Sequence, residues 1–174
     1  MERLQGESTT YWNAFSTEEF FRPIGQAWSP AENVRHLNKS NRAVAQALRL
    51  PGLILGLSFG RAPRSSRNYD ELKQTYLAIL ASGGQAGRFA PAPRTEGDLQ
   101  AWRSKIMAEH EKITKALVSL INRWSEEALE RYRLPHPLLG KLTLREMLFF
   151  TLYHNLHHVE VVERRRAEQF SLHK

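Results

Sequence analysis

Apolar positions recur at spacings of three and four along most of this chain, the period of helices buried on one side. One stripe runs Val34, Leu37, Asn41, Val44 and Leu48, with a polar interruption at Asn41. Ser29 is a good N-cap, Pro30 fits the first helical position and Glu32 completes a capping box, so the helix starts there and Pro51-Gly52 ends it. A second stripe, Leu99, Trp102, Ile106, His110, Ile113, Leu117, Leu120 and Trp124, predicts a helix over about 98–124. A third, Met147, Thr151, His154, His158 and Val161, follows the capping box Thr143-Leu144-Arg145-Glu146. It closes on Glu163-Arg164-Arg165-Arg166, where basic residues suit the helix dipole. Tyr69, Leu72, Tyr76, Ile79 and Leu80 predict a shorter helix over about 69–82. At the N-terminus Tyr11, Trp12 and Phe15 form an apolar patch, and Ser16-Thr17-Glu18-Glu19 restarts a short second helix.

The connections complete the plan. Residues 83–97 are rich in Gly, Pro and Ala and read as a loop. Residues 51–68 are apolar, then Arg-rich. Within them the run 53–59 reads as a buried connection, with pocket lining or the contact of a homodimer as the alternatives. Leu134-Pro135-His136-Pro137-Leu138-Leu139-Gly140 cannot be regular helix because of its prolines. No strand pair and no internal repeat is evident. The expectation is an all-α, single-domain protein over 1–174: a four-helix bundle with one short extra helix, long irregular connections and no sheet.

Composition narrows the chemistry. No apolar run approaches the eighteen or so residues of a membrane span. Met1-Glu2-Arg3 leads into polar residues without a signal-peptide pattern, so a cytoplasmic location is expected. The absence of cysteine excludes disulfides, thiolate ligands and a cysteine nucleophile. Any metal must be held by histidine or carboxylate, and any thiol chemistry needs a thiol supplied by a small molecule. The net charge of +7 favours anionic partners, nucleic acid or an acidic metabolite. Arg61, Arg64 and Arg67 recur in one connection and Arg164, Arg165 and Arg166 end the last helix. They read as a solvated surface or as a positive rim for an anionic substrate. A nucleic-acid surface would need the patches to merge, which nothing in the sequence indicates.

The histidines carry the candidate chemistry. His154 and His158 are one helical turn apart and continue the inward stripe, so both imidazoles can serve one ion. His36, on the capped helix that follows Trp28, could complete a set of three. Three protein ligands leave a position free for water or substrate, as catalytic sites do. The alternative is a pair of core-edge histidines bonded to carbonyls. His157 falls about 100° around the helix from His158, beside Tyr153 and Glu160, and reads as a locally bonded residue, with a metal ligand or a neighbour of the ligands as the alternatives. His110 reads as a satisfied core histidine, with a fourth ligand or a neighbouring acid/base as alternatives, while His136 and His173 look incidental. There is no Ser-His-Asp arrangement, phosphate-cradling Gly loop or dinucleotide fingerprint.

Trp-Ser-Pro-x-Glu-x-x-x-His-Leu from Trp28, His-Pro-x-x-Gly-x-Leu-Thr-Leu-Arg-Glu from His136 and a final helix with His-x-x-x-His together resemble the DinB/YfiT-like superfamily. The motifs span 28–158, most of the chain. The resemblance implies a four-helix bundle with a divalent metal held by His36, His154 and His158; three imidazoles suit Zn or Ni foremost, with Fe or Cu as further candidates. It also implies a metal-dependent enzyme, because some relatives transfer low-molecular-weight thiols such as bacillithiol or mycothiol; the carboxylates of bacillithiol suit a basic rim. Hydrolysis is the other reaction such a site supports. A non-catalytic metal- or ligand-binding stress-response bundle and, less favoured, a nucleic-acid binder are the rival expectations.

Overall fold

The computed structural model describes residues 2–91 and 97–172 of the chain. Among them the long helices are α1 (Glu2–Asn13), α3 (Pro30–Leu48), α5 (Tyr69–Ala81), α6 (Leu99–Ile121) and α8 (Leu144–Leu172). Short helices α2 (Thr17–Phe21), α4 (Gly52–Phe59) and α7 (Glu126–Arg131) lie between them. Helices α1, α3, α6 and α8 make the bundle: α3 packs on α6 and α8, α1 packs on the same two, and α5 covers α8.

The helix starts follow from local chemistry. Ser16, Ser29 and Asn68 each accept from the backbone N–H three residues on, and Glu19, Glu32 and Glu71 reach back to the cap N–H. Each reciprocal pair satisfies two donors that a helix start leaves orphaned. Thr143 and Glu146 do the same for α8, at 3.0 and 3.1 Å.

Two expectations need correction. The bundle is not free of strands: β1 (Arg133–His136) pairs antiparallel with β2 (Gly140–Thr143), Arg133 opposite Thr143 and His136 opposite Gly140. Strands of four residues are too short to show a period of two, and Pro135 and Pro137 argue against any strand. A two-stranded ribbon tolerates proline at its edges, and Gly140 at φ +72° closes the turn. The run 53–59 is a helix rather than an irregular buried connection. Leu55 is buried, but Leu53 and Leu57 are 71% and 77% exposed. An apolar run on every side carries no period from which a helix can be read. His173 lies outside the described residues.

Burial divides the interior into two apolar clusters. One gathers Trp12, Phe20, Val34, Leu37, Ile106 and Val162 at the α1–α2 end. The other gathers Val44, Leu48, Leu72, Leu117, Leu142 and Phe150 around α5 and the hairpin. Between them, at the same height on α3, α6 and α8, lies a buried polar layer. Asn38 accepts from His110 Nδ1 at 2.8 Å and donates to the Ile106 carbonyl at 3.1 Å. Asn41 faces Asn155 at 3.3 Å, and Asn155 also donates to the Thr151 carbonyl at 2.7 Å. Burying such groups costs free energy unless they are bonded. The pairing explains how Asn41 can interrupt an otherwise apolar stripe.

Candidate metal centre

The same layer holds His36, His154 and His158, at most 8% exposed. Nε2 of His154 lies 3.0 Å from Nε2 of His36 and 3.1 Å from Nε2 of His158. The three rings offer ligand atoms all within 4.8 Å of one another. The capped start of α3 sets the azimuth of His36, and the turn from 154 to 158 on α8 stacks the other two rings on one face.

Neighbouring oxygens determine which nitrogens carry protons. Nδ1 of His36 donates to the Phe89 carbonyl at 2.8 Å, and Nδ1 of His158 donates to Asn33 Oδ1 at 2.7 Å. Asn33 is oriented by its own amide, which donates to the carbonyls of Ser29 and Trp28 at 2.9 and 3.3 Å. With Nδ1 protonated, each neutral ring turns an unprotonated Nε2 inward. Burial lowers the pKa of all three imidazoles, that of His154 and His158 well below the ordinary value, so the rings are neutral near pH 7. The charges the three rings would place on one another push the same way for His154 and His158.

This arrangement fits a cation. A proton on His154 Nε2 can serve only one of its two close contacts well. Among the described residues its buried Nδ1 has no hydrogen-bond partner. Nε2 of His154 at 3.0 and 3.1 Å from two inward lone pairs satisfies them poorly, whereas an ion bound at ~2.0–2.1 Å from each nitrogen would serve all three rings. Trp28 lies parallel to His158, ring centroids 6.3 Å apart at 4°, and shields that ring.

The site opens on a cavity of about 350 Å³ between α3, α5, α8 and the hairpin. Its wall includes the three histidines, Val44, Ala47, Phe59, Tyr76, Leu80, Phe150, Arg88 and His136. His136 sits at the end of β1, its ring 4.2 Å from that of Phe150. Its Nδ1 accepts from the N–H groups of Leu138 and Leu139 at 3.2 and 3.0 Å. It therefore belongs to the cavity wall and not to an incidental loop; the His-Pro turn was the one sequence signal for it. Arg88, on the single 3-10 turn Gly87–Phe89, gave no signal.

The other candidates fall elsewhere. His157 borders the cavity but is outside the three-histidine group, its Nδ1 3.4 Å from the Tyr153 hydroxyl. His110 is bonded to Asn38 in the core, and burial lowers its pKa to about 4. Arg64 and Arg67 converge on Glu146, which is fully buried, at 2.7 and 2.9 Å. Burial pushes the Glu146 pKa up, but the two arginines and the backbone N–H groups of Arg67 and Thr143 outweigh it and bring it to about 2. These two cations anchor a connection and do not form a free basic rim.

Helical bundle and buried histidine triad together define a four-helix protein whose core could hold one metal ion. The profile of the DinB superfamily matches residues 1–162, and the chain belongs to that superfamily. Among solved structures it is similar to TT2238, a four-helix bundle protein, with 13% identity, 94% of each chain covered and a TM-score of 0.55, a likeness of fold. No curated protein matches the chain. No helix among the described residues is long and apolar enough to cross a membrane.

Proposed function

We propose that this chain is a metal-dependent enzyme that transfers a low-molecular-weight thiol, with His36, His154 and His158 as the ligands of a divalent ion, zinc or nickel foremost. One observation carries the reading: three inward Nε2 atoms meet at the wall of a cavity large enough for a small molecule. A structural site would be closed on all sides by the protein. When bound, the ion supplies a Lewis-acid position that lowers the pKa of a thiol or water reaching it. The chain does the rest: Phe89 and Asn33 hold two rings in the ligating tautomer, Trp28 covers one of them, and Arg88 offers a cation to an anionic co-substrate. With no cysteine in the chain, the nucleophilic sulfur comes from the small molecule. Hydrolysis is the second reaction open to the same donor set. The engagement of Arg64 and Arg67 with Glu146 weighs against a nucleic-acid surface built on that cluster.

The test is thiol transfer to monobromobimane by zinc- or nickel-loaded protein, with bacillithiol, mycothiol, glutathione and cysteine as donors. Turnover above the uncatalysed rate that vanishes with chelation and in His36→Ala supports the reading. Stoichiometric metal binding without turnover of any thiol, or of ester and amide substrates, would leave a non-catalytic metal-binding bundle.

A further inference from the structure

The cavity wall has a character that three ligating imidazoles do not require. Val44, Ala47, Leu80 and Phe150 make most of it apolar. Among the described residues no aspartate or glutamate lines it, and Arg88 is the one arginine or lysine that does. The turn carrying Arg88 is tied to the site through the bond from His36 to the Phe89 carbonyl. The guanidinium lies 5.2 Å from the centre of the Phe89 ring, and Arg88 is exposed at the cavity mouth. His136 adds a neutral donor. Its Nδ1 already accepts two backbone bonds, so its ring proton is on Nε2.

A largely apolar chamber that, among the described residues, carries one arginine or lysine and no carboxylate discriminates by charge. Among the described residues a cationic guest finds no carboxylate there and only neutral acceptors, whereas a guest with one negative group gains the Arg88 guanidinium. We propose that the cavity binds a small amphipathic monoanion, its hydrocarbon part against Val44, Ala47, Leu80 and Phe150 and its anionic group on Arg88 and His136. This names the substrate class of the candidate metal centre and rests on reading that cavity as the substrate site.

The experiment uses full-length protein stripped of metal by chelation, so that no carboxylate can bind through an ion. Octanoate, octanol and octylamine are titrated calorimetrically. Octanoate is expected to bind about fivefold more tightly than octylamine, the scale of one partly exposed ion pair gained against one opposed. Arg88→Gln brings that ratio close to one with octanol affinity unchanged. Ala47→Trp, which fills the chamber, removes binding of all three, and Ala43→Trp on the same wall replaces it if circular dichroism shows a misfolded variant. Equal binding of octanoate and octylamine, a ratio untouched by Arg88→Gln, or octanoate binding that survives a filled chamber overturns the proposal. Zinc uptake measured on the same preparations separates the two readings. A wild type that takes up no zinc yet prefers octanoate refutes the metal centre alone. One that takes up zinc without the preference refutes the monoanion alone.

Discussion

Asn33 Oδ1 accepts a 2.7 Å hydrogen bond from Nδ1 of His158, across 125 residues of chain. Asn33 lies four residues past the cap of α3 and one turn before His36 on the same helix. One helix thus brings a histidine to the site and orients another that is carried by α8. Removing the acceptor in Asn33→Leu leaves the His158 ring free to rotate and to change tautomer. Zinc affinity, measured by competition with a chromophoric chelator, should fall about 10–100-fold. Unchanged affinity would show that Asn33 has no part in orienting the ring.

His158→Ala removes an imidazole outright. Tight metal binding should be lost, while the bundle stays folded because two apolar clusters hold it without the ion. The small cavity costs about 1–3 kcal/mol, tolerable in a domain of this size. Metal content and thermal unfolding, measured side by side, check both halves. His157→Ala is the control, and its metal content should match wild type. Retention of metal by His158→Ala, or its loss from His157→Ala, would reassign the ligand.

The caps, the stripes and the inward position of His154 and His158 were legible in the sequence because helical period and capping chemistry are local. His36 was legible as a partner only because its helix start is so clearly marked. The rest depends on distant pairings. Asn41 stood out merely as a flaw in a stripe, and its partner Asn155 is 114 residues away. Glu146 was visible as a capping residue, while its bonds to Arg64 and Arg67 form only once the connection folds back on α8. The hairpin was missed because four-residue strands punctuated by proline carry no periodicity. The exposure of Leu53 and Leu57 was missed because apolar composition says nothing of which side has neighbours.

Glu146→Ala should therefore cost more than the loss of one cap. It leaves two guanidinium groups, the Arg67 N–H and the Thr143 N–H without their acceptor. Both arginines are partly exposed and regain water, which brings the expected loss to about 2–3 kcal/mol. Urea unfolding measures it. A loss below about 0.5 kcal/mol, the level of an ordinary surface substitution, would show that the anchor is not needed.

Stability of the metal-free protein should fall on acidification below about pH 6.5. Burial lowers the folded-state pKa of His36, His154 and His158, and brings those of His110 and His136 to about 4. Above the unfolded value both states are neutral and the stability is fully present. As pH drops from there, the unfolded chain takes up protons that the folded one refuses, so stability is lost until the folded values are reached. Each such group weakens folding by about 1.4 kcal/mol per pH unit across its window. Urea midpoints from pH 7.5 to 4.5 trace the slope, and His110→Leu should make it shallower between 6.5 and about 4. A flat profile would mean that the histidines protonate freely in the folded state.

The carbonyl that fixes the His36 tautomer belongs to a single turn inside a loop, not to a helix of the bundle. An ion held at His36 and the placement of the segment around Phe89 would thus be coupled through that bond. Couplings of this kind are reciprocal: a guest that steadied that segment would tighten ion binding by the same factor by which the ion tightened binding of the guest. A guest resting against Arg88 on the same turn would therefore report its arrival at the histidines without touching them.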